Sequence, residues 1–131
     1  MIQIDLESSV PLEEQLCRAI REAMARGEVV PGDELPSSRQ LGRDLGIHWN
    51  TVARAYRRLR DEGLLTIGRG RGVFARSREA SDNGSPELLG RIEERIKDLL
   101  TEARLGGLSL DRVDALVKQQ LEEWAEKEAQ R

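Results

Sequence analysis

Residues 37–63 read SSRQLGRDLGIHWNTVARAYRRLRDEG, two short helical patterns separated by a glycine. Ser37 followed three residues later by Gln40 fits a capping box, in which the hydroxyl accepts an orphan amide and the glutamine reaches back to the cap. Leu41 and Leu45 form the inner side of this helix, and Gly46 suits the left-handed stop that ends it. The next pattern runs from about His48 to Asp61. Val52, Ala55, Tyr56 and Leu59 make one apolar face of it, whereas Asn50, Arg54 and Arg57 project from the other. Two short helices joined by a glycine-containing turn, the second apolar behind and basic in front, describe a helix-turn-helix.

Upstream, Met1-Ile2-Gln3-Ile4 alternates apolar and polar residues, and Pro11 suits a first helical turn. Leu12, Leu16, Ala19, Ile20, Ala23 and Met24 then recur at helical spacing, with Gly27 placed to end the helix. Cys17 lies beside that stripe and is read as a small buried hydrophobe rather than a reactive thiol. Val29 to Asp33 is a turn signed by Pro31-Gly32. Downstream, Gly63 ends the third helix. Leu64-Leu65-Thr66-Ile67 is strand-like, Gly68-Arg69-Gly70-Arg71-Gly72 is a tight basic turn, and Val73-Phe74-Ala75 is a second strand. Three helices followed by a hairpin make a winged helix. The fold class is therefore mainly α with a small β-hairpin wing.

The expected organisation is a winged helix-turn-helix over residues 1–76, a polar, turn-rich linker over 77–86 and a helical region over 87–131. Ser85-Pro86 is a good helix start. The helix after it carries Leu88, Leu89, Ile92, Ile96, Leu99, Leu100 and Ala103 along one stripe. Gly106-Gly107 breaks it, and Ser109 can cap a fifth helix bearing Leu110, Val113, Val117, Leu121 and Trp124. Two helices cannot bury two apolar stripes by themselves. Docking onto the winged helix of the same chain is one solution, and a four-helix bundle with a second copy is the other. The linker favours the dimer, with Leu89, Ile92, Ile96, Leu99, Leu100, Val113, Val117, Leu121 and Trp124 at its interface.

Net charge at first argues against a nucleic-acid partner: 21 Lys and Arg against 24 Asp and Glu give −3 over 131 residues. The sum hides a segregation. Residues 39–78 carry 10 arginines and only Asp44, Asp61 and Glu62, whereas the segments on either side are each acidic. Arginine has the planar fork that suits phosphate and guanine edges, although a solvated helix face gives the same run of charge. One Cys and one His leave no disulfide framework and no His/Cys-rich metal site within a chain. No apolar run approaches the roughly 18 residues of a membrane span, and no signal peptide is expected at the N-terminus. The expected compartment is the cytoplasm.

Leu35-Pro36-Ser37-Ser38-Arg39-Gln40-Leu41, Asn50 to Tyr56, Glu62-Gly63-Leu64 and Gly70 to Phe74 together resemble the GntR family of bacterial transcription regulators. The resemblance covers roughly residues 10–76, and the short helical tail is similar to that of the YtrA-like branch. It implies a homodimer without a large effector domain that binds a double-stranded DNA operator, more as a repressor than as an activator. It implies that Ser37 and Arg39 sit against phosphates and the groove edge, that Asn50, Thr51 and Arg54 lie in the major groove, and that Arg69, Gly70 and Arg71 place the wing tip on DNA. His48 and Trp49 stand where the family often has Ser or Thr then Arg, and Ala53 replaces another common arginine. His48 is read as a helix-start or phosphate-contact residue. Trp49 falls near the border of the buried face, suited to packing against a neighbouring element or to a thymine methyl; packing is the plainer reading.

Other classes fit less well. The Gly68-x-Gly70-x-Gly72 spacing precedes a strand, whereas a nucleotide fingerprint must open a helix. A Ser-His-Asp hydrolase would have to use His48 as its only base, and no nucleophile elbow is present. The residues after 78 are too few for the pyridoxal-phosphate enzyme fold that some similar proteins carry. No enzyme activity, cofactor or metal is expected, and no effector ligand is legible. The remaining competitor is a winged helix that binds a protein and not specific DNA.

Overall fold

The computed structural model describes residues 2–68, 72–76 and 85–129, with side chains to 126. The chain divides into two compact units, Met1–Arg78 and Glu79–Gln130.

In the first unit the order is α1 (Leu12–Ala25), β1 (Glu34–Leu35), α2 (Ser38–Leu45), α3 (Trp49–Asp61), β2 (Leu65–Gly68) and β3 (Gly72–Ala75). Pro11 is the N-cap of α1 rather than a first-turn residue, and its carbonyl accepts the Gln15 amide at 3.0 Å. Ser37 caps α2, its Oγ accepting from the Gln40 amide at 3.1 Å. The reciprocal half of the expected capping box does not form. Gln40 Nε2 instead donates to Asp44 at 2.7 Å, and its Oε1 accepts from Arg43 at 2.9 Å, because both partners lie one turn ahead on the same helix face. Gly46 closes α2 at φ 72°, in the left-handed region glycine enters without a Cβ clash.

Leu16, Cys17 and Ile20 of α1 pack with Leu41 of α2 and with Val52, Ala55, Tyr56 and Leu59 of α3 in one core. The sheet covers it through Leu35, Leu65, Val73 and Ala75. Cys17 is fully buried, its Sγ 3.7 Å from the Ala55 carbonyl, and burial raises its thiol pKa. Tyr56 is buried as well; desolvation raises its phenol pKa, and the hydroxyl donates to the Pro36 carbonyl at 2.7 Å. That bond ties α3 to the segment entering α2.

The wing is not the two-stranded hairpin expected from the pattern but a three-stranded antiparallel sheet in the order β1-β3-β2. Leu65 pairs with Ala75 and Gly68 with Gly72, while Leu35 pairs with Val73 on the other side of β3. Two residues are too short a run for any alternation to register, so β1 has no sequence signal.

In the second unit, α4 (Pro86–Leu105) and α5 (Leu110–Ala129) form the expected hairpin. Ser85 Oγ accepts from the Leu88 amide and Ser109 Oγ from the Arg112 amide, each at 3.1 Å. Both caps follow the sequence reading. Among the described side chains of this unit only Val113 is buried. Among the described residues no helix is long and apolar enough to cross a membrane.

Candidate nucleic-acid interface

The outer face of α3 is set by its core. With Val52, Ala55, Tyr56 and Leu59 turned inward, helical geometry turns Arg54 and Arg57 to solvent, and both are exposed. Asn50 and Thr51 are half-buried in the first turn. His48 is the N-cap: its Nδ1 accepts from the Asn50 amide at 3.0 Å, and its carbonyl accepts from the Thr51 amide at 3.1 Å.

The α2–α3 junction closes directly over Gly42, which has no side chain. A Cβ at that position would lie 2.9 Å from the Ile47 carbonyl oxygen and 3.2 Å from Trp49 Cα. Trp49 is 39% exposed and packs against α2, with the Arg39 guanidinium carbon 4.5 Å from its ring centroid. The His48 ring stacks on it at 5.6 Å and 28°. Trp49 thus packs on α2 with one part of its ring while another part stays open to solvent.

The acidic α1 neutralises one flank of α3. Glu14 accepts from Arg58 at 3.0 Å, and Glu13 lies 3.9 Å from Arg54 Nε. Arg21 and Glu62 form a two-pronged pair, with Arg21 Nε donating at 3.0 Å. This contact lowers the Glu62 pKa and raises that of Arg21. Arg39 and Arg57 have no acidic partner among the described residues. The local surplus of positive charge is thus concentrated on the exposed side of α2 and α3.

Ser37, Arg39, His48, Trp49, Asn50, Thr51, Arg54 and Arg57 all lie on the helix-turn-helix, in α2, α3 or their caps. Arg69, Gly70 and Arg71 lie outside the described residues, between the paired ends Gly68 and Gly72. Glu13 was not among the candidates, because its approach to Arg54 depends on the packing of α1 on α3. No sequence signal within α1 points to it.

Residues 12–75 match the model of the bacterial regulatory proteins of the gntR family. The chain is 35% identical to the HTH-type transcriptional repressor YtrA of Bacillus subtilis, over 91% of either protein. The chain belongs to the GntR family. Its full-length likeness to YtrA puts it in the short, YtrA-like branch. Among solved structures, YtrA from Sulfolobus acidocaldarius, a GntR-family transcription factor, matches 74% of this chain and 97% of its own at 37% identity and a TM-score of 0.59. The DNA-binding domain of AraR, solved in complex with operator ORX1, shares the fold at 23% identity and a TM-score of 0.51, over 57% of this chain and 94% of its own. This GntR-family chain is a DNA-binding transcriptional regulator with a winged-helix fold, not an enzyme.

Proposed function

We propose that this regulator is a repressor that binds an inverted-repeat operator as a homodimer, with α3 of each copy in the major groove. The observation that carries this reading is the exposed row of Arg54 and Arg57 beside Asn50, Thr51 and Arg39, on elements rigidly backed by the core. Arginine forks and asparagine amides carry the donor patterns that guanine and adenine edges accept. Ser37 keeps its hydroxyl hydrogen for a phosphate while its oxygen caps α2. Arg69, Gly70 and Arg71 serve as the wing tip on the backbone or in the minor groove. Residues 1–76 form the DNA-binding domain, 77–86 the linker and 87–131 the dimerisation region.

Dimerisation is supported by the state of the tail. Leu89, Ile92, Ile96, Leu99, Val117 and Leu121 are 41–64% exposed, and a groove of about 820 Å³ opens between α4 and α5. Contiguous apolar surface of this kind marks an interaction site, and a second copy of the same hairpin completes a four-helix bundle. Val113, 7% exposed, and Trp124, 37% exposed, line that groove, and Leu100 is half-buried.

The test is selection of bound sequences from a random duplex pool, followed by titration of the selected duplex against salt. Two half-sites about one helical turn apart, or a multiple of it, and an affinity falling linearly in log–log terms with salt are expected. Negligible duplex affinity even at low salt removes this reading and leaves a protein-binding winged helix.

A further inference from the structure

We infer that Trp49 acts on DNA through Arg39: the indole is a platform that holds the arginine fork flat at the α2–α3 edge, and the two side chains read the duplex as one unit. The inference rests on the DNA-binding reading above and adds a role for a residue that makes no base contact of its own. Three observations converge on it. The Arg39 guanidinium stands 4.5 Å from the centre of the indole ring, within the range of a cation–π contact. The Arg39 guanidinium has no hydrogen bond or ion pair among the described residues, so stacking leaves the in-plane N–H donors of the fork uncommitted. Gly42 lies one turn after Arg39 on the same face of α2, and its missing Cβ lets the Trp49 backbone come within about 3 Å of where that carbon would stand.

A long arginine at the exposed start of a helix loses rotamer freedom when it binds DNA. Stacking removes part of that freedom beforehand, so less is lost in the complex. The indole therefore contributes to affinity only while the guanidinium is present. An independent base contact by Trp49 would instead act whether or not Arg39 is there.

A double-mutant cycle on the selected duplex separates the two. Arg39→Ala and Trp49→Ala should each weaken binding by on the order of tenfold, and the double variant should bind no worse than about either alone. Losses that multiply in the double variant overturn the platform role, as does a Trp49→Ala protein that binds like the wild type. Trp49→Phe and Trp49→Leu guard against a folding artefact. Both fill the junction, but only phenylalanine offers a π face, so phenylalanine should retain most of the affinity and leucine should not. Equal behaviour of the two refutes the inference. A wild-type protein that binds no duplex at low salt fails at the earlier step, the DNA reading itself.

Discussion

Replacing Gly42 with alanine tests whether the close α2–α3 junction positions the recognition helix. In a helix interior the exchange alone gains about 1 kcal/mol, since alanine has the higher propensity. Here the new Cβ meets the Ile47 carbonyl oxygen at 2.9 Å and the Trp49 amide nitrogen at 3.2 Å. Both neighbours are backbone, so no side chain can swing aside and the start of α3 must move. Overpacking of this kind costs about 1–3 kcal/mol, and the upper half applies where backbone must shift. The net loss is about 1–2 kcal/mol, or a fall of about 4–16 °C in Tm for a domain of about 60–100 residues. Operator affinity should fall with it, because Trp49, Asn50 and Thr51 sit on the displaced turn. Gly46→Ala is the matched comparison. It meets nothing within 4 Å but sits at φ 72°, so left-handed strain of about 1–2 kcal/mol lowers stability while α3 stays in place. Thermal melts and duplex titrations on both variants give the answer. A Gly42→Ala protein with wild-type Tm and wild-type affinity would refute the reasoning.

Tyr56→Phe keeps the buried ring but removes the 2.7 Å bond to the Pro36 carbonyl, and urea unfolding should show a loss of about 1 kcal/mol. The Glu62 carboxylate is held below its ordinary pKa by Arg21, so its contribution is in place above about pH 4.3 and lost as pH falls through the lowered folded value. The stability gap between wild type and Glu62→Gln, under about 1 kcal/mol for so exposed a pair, should therefore close in acid; a gap constant from pH 7 to 3 contradicts the pairing. Charged replacements of Ile96 and Leu121, which are 51% and 64% exposed, should leave an intact winged helix but yield monomers in light scattering, with most operator affinity lost. Dimers that survive both replacements place the interface elsewhere. Cys17 has no exposed surface, so alkylation of the native protein should be slow and should speed up only in denaturant.

Much of the fold was legible locally. A helix declares itself by a period that a dozen residues repeat, and its ends by caps whose chemistry sits in one or two side chains. That is why α1 to α5, the Ser37, Ser85 and Ser109 caps and the Gly46 stop can be read from the chain alone. The exposed arginines of α3 follow from the same periodicity once its apolar face is known.

Contacts between elements were not legible. The strand β1 exists because the Pro31-Gly32 turn delivers Leu35 to the edge of β3, and two residues hold no pattern. Gln40 chose Asp44 and Arg43 over its own cap, a competition that neither motif nor propensity resolves. The net charge of −3 and even the arginine-rich window said nothing of which guanidiniums are neutralised; the packing of α1 on α3 assigns Arg58 to Glu14 and sets Glu13 near Arg54, and leaves Arg57 without an acid among the described residues. The place of Trp49 was likewise open until Gly42 brought the two helices together beneath Arg39. The sequence by itself determined the elements and the sign of the local charge, because both are sums over neighbours in the chain. Only the tertiary structure decided which charges are paired and where the tryptophan packs, because those depend on residues far apart in sequence and a few ångströms apart in space.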